Sequence, residues 1–93
     1  MFDKLGQLKD FWQLKKRLDN MVIKTVSPNH IFEVTISGSL EVKEVKVSDM
    51  AKDLSSERLG EELKSVINKA IRDSQITAAQ AMGSSMGADL PKA

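Results

Sequence analysis

Lys9, Lys16, Arg17 and Lys24 fall on one side of the first helical stretch of this 93-residue chain, with only Asp10 against them. Cations spaced in this way can neutralise phosphates and release the counterions condensed on a nucleic acid. Such contacts place a protein on a duplex without reading its sequence. A solvated helix face has the same pattern, so spacing alone leaves both readings open. Later in the chain, Lys64, Asn68 and Arg72 recur at i, i+4 and i+8 and form a polar ridge with Glu61 and Gln75. One chain carries few such cations, and tight binding at physiological salt calls for a second copy that doubles the patch.

Other chemistries find no foothold. The chain lacks cysteine, which removes a disulfide scaffold, a thiolate metal site and a catalytic thiol. Its one histidine, His30, follows Pro28 in a turn and reads as an exposed loop residue. One histidine is too few for a zinc site. There is no GxGxxG, no phosphate-binding loop, no HExxH and no Ser-His-Asp set. Glu61 and Glu62 occupy adjacent helical positions and point apart, so they make no acid–base dyad. The expectation is a protein that is not an enzyme, with no cofactor, no metal and no small-molecule substrate. No apolar run is long enough to cross a bilayer, and the opening lacks a signal-peptide core. A cytoplasmic protein without membrane contact is therefore expected. The formal charge of +1 conceals an asymmetry. Residues 1–24 carry six cations against three acids, residues 25–50 two against four, and the remainder six against six. A basic first segment beside an acidic middle is a mild pointer to an anionic partner.

The elements that must hold these residues follow from periodicity. Residues 3–24 read as a helix. Leu5, Leu8, Phe11, Trp12, Leu14, Leu18, Met21 and Val22 form a broad apolar arc, into which Lys4, Lys15 and Asp19 intrude. The arc is wider than a three-stranded sheet can cover, so Leu8, Phe11, Trp12 and Leu18 are assigned to the core or to a dimer seam. Ile23–Ser27, rich in β-branched residues, is a first strand, and Pro28-Asn29-His30 a turn. Phe32, Val34 and Ile36 alternate with Glu33, Thr35 and Ser37 as a half-buried strand, with Val34 and Ile36 in the core. Ser37-Gly38-Ser39 is a tight connection to a strand over Leu40–Ser48. Leu40 and Val42 keep the parity of Val34 and Ile36, but Val45 and Val47 take the other. Either a β-bulge at Lys43-Glu44 or different cover on the two faces explains the change of phase. Ser55 or Ser56 caps a second helix over residues 56–82. Its buried stripe is Leu59, Leu63, Val66, Ile67, Ala70, Ile71, Ala78, Ala81 and Met82, and Gly83–Gly87 stops it. Met21, Met82 and Met86 read as gap fillers. The fold class is α+β, in the order α-β-β-β-α, with a three-stranded antiparallel sheet and two long flanking helices. Residues 1–87 form a single domain and 88–93 a flexible tail.

Taken together, "MFDKLGQLKDFWQLKKRLDNM", "FEVTISGSLEVKEVKVS", "LGEELKSVINKAIRDSQ" with Asn68 and Ala70, and "MGADLP" resemble, in that order, the YbaB/EbfC family of bacterial nucleoid-associated proteins. The resemblance covers nearly the whole chain. Here "TVSPNH" replaces a longer glycine-rich stretch, and the methionines of the first helix are thinned to Met21. The resemblance implies a tweezer-like homodimer that binds double-stranded DNA and serves nucleoid organisation or gene expression. It implies arms built from the first and last helices, so that Lys9, Lys16, Arg17, Lys24, Lys64 and Arg72 are the expected DNA contacts. A reading from another class is a dimeric adaptor or chaperone that offers the apolar face of the first helix to a protein client.

Overall fold

The computed structural model describes residues 4–86. Helix α1 spans Lys4–Asp19. Its last turn closes where the Asn20 N–H reaches the carbonyls of Lys16 and Arg17 at 3.1 and 3.2 Å. The β-branched residues that follow favour extended backbone. The chain is therefore already strand β1 at Ile23–Val26. The helix expected to reach residue 24 stops at Asp19, and Lys24 lies on β1 rather than on the cationic side of α1. Strands β2 (Phe32–Ile36) and β3 (Val42–Val47) complete an antiparallel sheet in the order β1-β2-β3. A short 3-10 helix (Asp49–Asp53) follows β3, and α2 runs from Ser56 to Met86. The Ser55 hydroxyl caps α2 by accepting the Arg58 N–H at 3.2 Å.

The register explains the change of phase in the third strand. Thr35 opposes Glu44 and Ile36 opposes Val42, so Lys43 is an extra residue. This is a β-bulge, and it returns Val42, Val45 and Val47 to one face. The connection before it differs from expectation. Leu40 has φ 67° and belongs to the turn, where its N–H donates to the Ser37 carbonyl at 3.1 Å. The strand therefore begins at Val42 rather than Leu40.

Val34 and Ile36 meet Val66 and Ala70 of α2, with Ile23 and Phe32 packed beside them. This core is small, and polar ties supplement it. The buried Ser74 hydroxyl donates to the Ser37 carbonyl at 2.7 Å, and Thr25 donates to Asp73 at 2.9 Å. The Ser27 hydroxyl accepts the N–H groups of Ile31 and Phe32, both at 3.0 Å. The stripe that α2 buries is Glu62, Val66, Ala70 and Ser74. Leu59, Ile71, Ala78, Ala81 and Met82 are half-buried, while Leu63 and Ile67 of the expected stripe are exposed. Gly83 does not stop the helix, which continues to Met86. A lone glycine costs a helix only about 1 kcal/mol. The tail 88–93, and the side chains of Lys4, Leu5 and Met86, lie outside the described residues.

Candidate nucleic-acid interface

Helix α1 is joined to the sheet at its C-terminal end. The Leu18 carbonyl accepts the Gly38 N–H at 2.9 Å, and Asp19 accepts hydrogen bonds from Lys15 at 3.0 Å and from the Ser39 hydroxyl. A Cβ at Gly38 would stand 2.7 Å from the Met21 sulfur and 3.2 Å from the Leu18 carbonyl, so a side chain here would displace Met21 and crowd the end of α1. Helix α2 passes the same end of the sheet, because Ser74 bonds Ser37 just before the β2–β3 turn. Beyond Ser74, twelve residues of helix, about 18 Å, run past the sheet. Two arms thus leave the body at its β2–β3 end. The molecule measures 63 × 26 × 16 Å, with a radius of gyration of 17.2 Å. A compact chain of this length would have about 12 Å.

Along α1, Lys9, Lys16 and Arg17 are exposed, and Lys16 and Arg17 occupy the last turn, where cations suit the helix dipole. Leu8, Phe11 and Trp12 are 52%, 57% and 56% exposed, with the two rings edge to face at 5.9 Å. Within one chain they are not in the core, which corrects that half of the expectation; Val34 and Ile36 are core residues, and Leu18 is half-buried at the joint. The apolar arc finds too little sheet to cover it because α2 occupies the face of β1 and β2.

The remaining expected contacts are on the body. Lys24 is exposed on β1, opposite Thr35 and facing away from α2. Lys64 and Arg72 precede Ser74, over the sheet rather than on the projecting part of α2, and residues 75–86 contain no charged side chain. The second arm is therefore uncharged among the described residues, and the cationic arm is α1. Arg72 lines an open cleft of about 380 Å³ with Val26, Pro28, Ser65, Asn68 and Lys69. Lys69, absent from the expected set, also pairs with Asp73 at 3.4 Å. Its i, i+4 spacing from Asp73 is visible in the sequence, but its place beside Pro28 depends on how α2 lies on the sheet.

Electrostatics divide the molecule. At the base of α1, the Ser39 hydroxyl and then Lys15 hold the Asp19 carboxyl below its usual range. On the hairpin, the Glu41 carboxylate raises the Lys43 ammonium, at 2.6 Å. Lys46 faces Glu33 at 3.8 Å. The cations of the middle segment are thus committed to its own acids. Among the described residues no group of His, Asp or Glu is placed to hold a metal ion, and no helix is long and apolar enough to cross a membrane.

The crystal structure of the uncharacterized protein HP0035 from Helicobacter pylori has the same fold. It is 20% identical, with a TM-score of 0.70, over 94% of this chain and 100% of that one. No curated protein matches the sequence. The model of the YbaB/EbfC DNA-binding family matches residues 1–89, and the chain, with its α-β-β-β-α order and its cationic arm, belongs to that family.

Proposed function

We propose that the chain works as a homodimer that binds double-stranded DNA mainly through backbone phosphates. In this reading it serves nucleoid organisation and gene expression in the bacterial cytoplasm, without enzymatic activity and without a small-molecule substrate. The observation that carries the reading is the placement of α1. A helix joined to the sheet at its C-terminal end exposes Lys9, Lys16 and Arg17, in a chain of a DNA-binding family. Lys24 and Arg72 extend the positive surface onto the body, and Lys64 contributes from the outer side of α2. The exposed arc of Leu8, Phe11 and Trp12 is surface that a second copy covers. Family membership favours DNA over the protein-client reading.

Fluorescence anisotropy of a labelled duplex, titrated at low and then moderate salt, tests the proposal. Affinity should fall steeply with salt as counterions return to the phosphates. Reversing Lys16→Glu and Arg17→Glu together should abolish binding and leave the circular-dichroism spectrum and the mass in solution unchanged. Unaltered affinity in that variant would remove α1 from the interface.

A further inference from the structure

The polar ridge of α2 meets the β1–β2 turn in a preformed cleft. Ser65, Asn68, Lys69 and Arg72 line it from the helix, and Val26 and Pro28 line it from the other side, around about 380 Å³. Two ties hold these walls together. Asn29 donates its side-chain and backbone N–H groups to Glu62, and the Thr25 hydroxyl donates to Asp73 at 2.9 Å. Val26 and Pro28 fall between Thr25 and Asn29, and the four helix residues fall between Glu62 and Asp73, so a tie bounds the cleft at each end. From Glu62 to Asp73 the helix rises about 16 Å. The turn is stiff as well. Its Pro28 ring fixes φ, and the Ser27 hydroxyl holds the N–H groups of Ile31 and Phe32. The Lys69 ammonium stands 3.4 Å from Asp73, the same carboxylate that Thr25 holds. Among the described residues, the side chains of Ser65, Asn68 and Arg72 make no hydrogen bond or ion pair. One full positive charge and several donors are therefore uncommitted in one cleft.

We infer that this cleft binds a nucleoside monophosphate, held as a ligand and not converted. The inference goes beyond the DNA reading and does not depend on it. Charge selects the phosphate. A phosphate monoester carries about −1.5 to −2 at pH 7. Arg72 offers a planar fork of N–H donors, and Lys69, shared with Asp73, a second cation. The Ser65 hydroxyl and the Asn68 amide supply neutral donors for the remaining oxygens. The volume lies at the lower end of the range for small-molecule sites, which suits one nucleotide rather than a large cofactor. The neighbouring space selects the rest of the ligand. A second cleft of about 220 Å³ continues past Pro28 and Ser65, where Asn29, Arg58, Glu61 and Glu62 complete its lining. Arg58 offsets one of the two acids, and the space stays net acidic. A second or third phosphate there would be repelled. A nucleobase suits it instead, with a ring face against Pro28 and an exocyclic amino group donating to Glu61, the exposed acid of the pair. One phosphate joined to a donor-bearing ring is a nucleoside monophosphate.

The test is an NMR titration of the full, isotopically labelled chain without DNA, with adenosine monophosphate, adenosine and adenosine triphosphate as probes. The monophosphate should move the amide signals of Val26, Asn29 and residues 65–72 and bind most tightly of the three. Adenosine lacks the anion and the triphosphate meets the acids of the second cleft, so each should bind at least about tenfold more weakly, the value of one charge-assisted contact. Arg72→Gln, at an exposed position, should weaken the monophosphate by a similar factor. Lys52→Gln, exposed on the 3-10 helix and outside both clefts, should leave its affinity unchanged. Amide signals that stay still with millimolar monophosphate overturn the inference. So does a triphosphate that binds equally tightly, or an Arg72→Gln chain that binds as the wild type does. A short duplex that moves the cleft amides, where the monophosphate leaves them still, makes the cleft a backbone contact and removes the small ligand. Duplex binding is read separately by anisotropy, so either reading can fail while the other stands.

Discussion

A buried carboxylate ties the β1–β2 turn to the helix above it. Glu62 is only 7% exposed, yet its ionised form is the one the structure favours. The Ser27 hydroxyl, then the side-chain and backbone N–H groups of Asn29, hold its carboxyl below the usual range despite burial. A folded-state value below the unfolded one, about 4.3 for glutamate, contributes stability at neutral pH. That contribution is lost as pH falls through the folded value. The thermal midpoint of the wild type should therefore drop on acidification below the ordinary carboxylate range. Glu62→Gln should start lower at pH 7 and lose less on the same descent, because its amide does not titrate. Calorimetry at a series of pH values checks this, and parallel curves for the two proteins would contradict the role. The sequence shows that Glu61 and Glu62 point apart, and they do: one is exposed and the other buried. It does not show which of them meets Asn29, since that contact joins residues 33 apart and depends on how α2 crosses the sheet.

Among the elements, periodicity read the strands better than it read the ends of the helices. Alternation at Phe32, Val34 and Ile36 marked β2, and the broken phase at Lys43 was legible as a bulge because a valine face must be kept on one side. The C-terminal limit of α1 was misplaced because Leu18, Met21 and Val22 continue a helical arc that the chain itself abandons for strand β1. The exposure of Leu63 and Ile67 was not legible either. A helical wheel marks what is apolar, whereas cover is decided by which strands the helix reaches. The joint at Gly38 belongs to this scale, since it fixes an arm to the sheet. Gly38→Ala should force the Leu18 carbonyl outward, the Met21 sulfur being at the flexible end of its side chain. The body, held by Val34, Val66 and Ala70, should keep its β-sheet signal. The arm should lose its fixed bearing, with faster amide exchange at Leu18–Met21 and weaker DNA binding. An alanine variant with unchanged exchange there would show that the joint tolerates a side chain.

At the scale of the whole molecule, the separation of charge from body would make the two copies of the proposed homodimer count together. One chain presents Lys9, Lys16 and Arg17 on a single arm, and the acids of the hairpin hold their own lysines in pairs. The three cations of a lone arm contribute about −3 to the slope of log affinity against log salt, beside whatever the body cations add. In the proposed dimer two arms would offer six, and their contribution should approach about −5. The comparison therefore runs between the wild type and a chain with Phe11→Ser and Trp12→Ser, which keeps the three cations of the arm but loses exposed apolar surface assigned to the second copy, and is expected to be monomeric. The variant should bind more weakly at every salt concentration, with a slope reduced by nearly half. Its affinity should approach that of the wild type as salt rises, because the extra counterion release that favours the dimer fades there. Equal slopes in a confirmed dimer and a confirmed monomer would mean that only one arm of the dimer engages a duplex at a time. The purpose of dimerisation would then lie in stability rather than in grip.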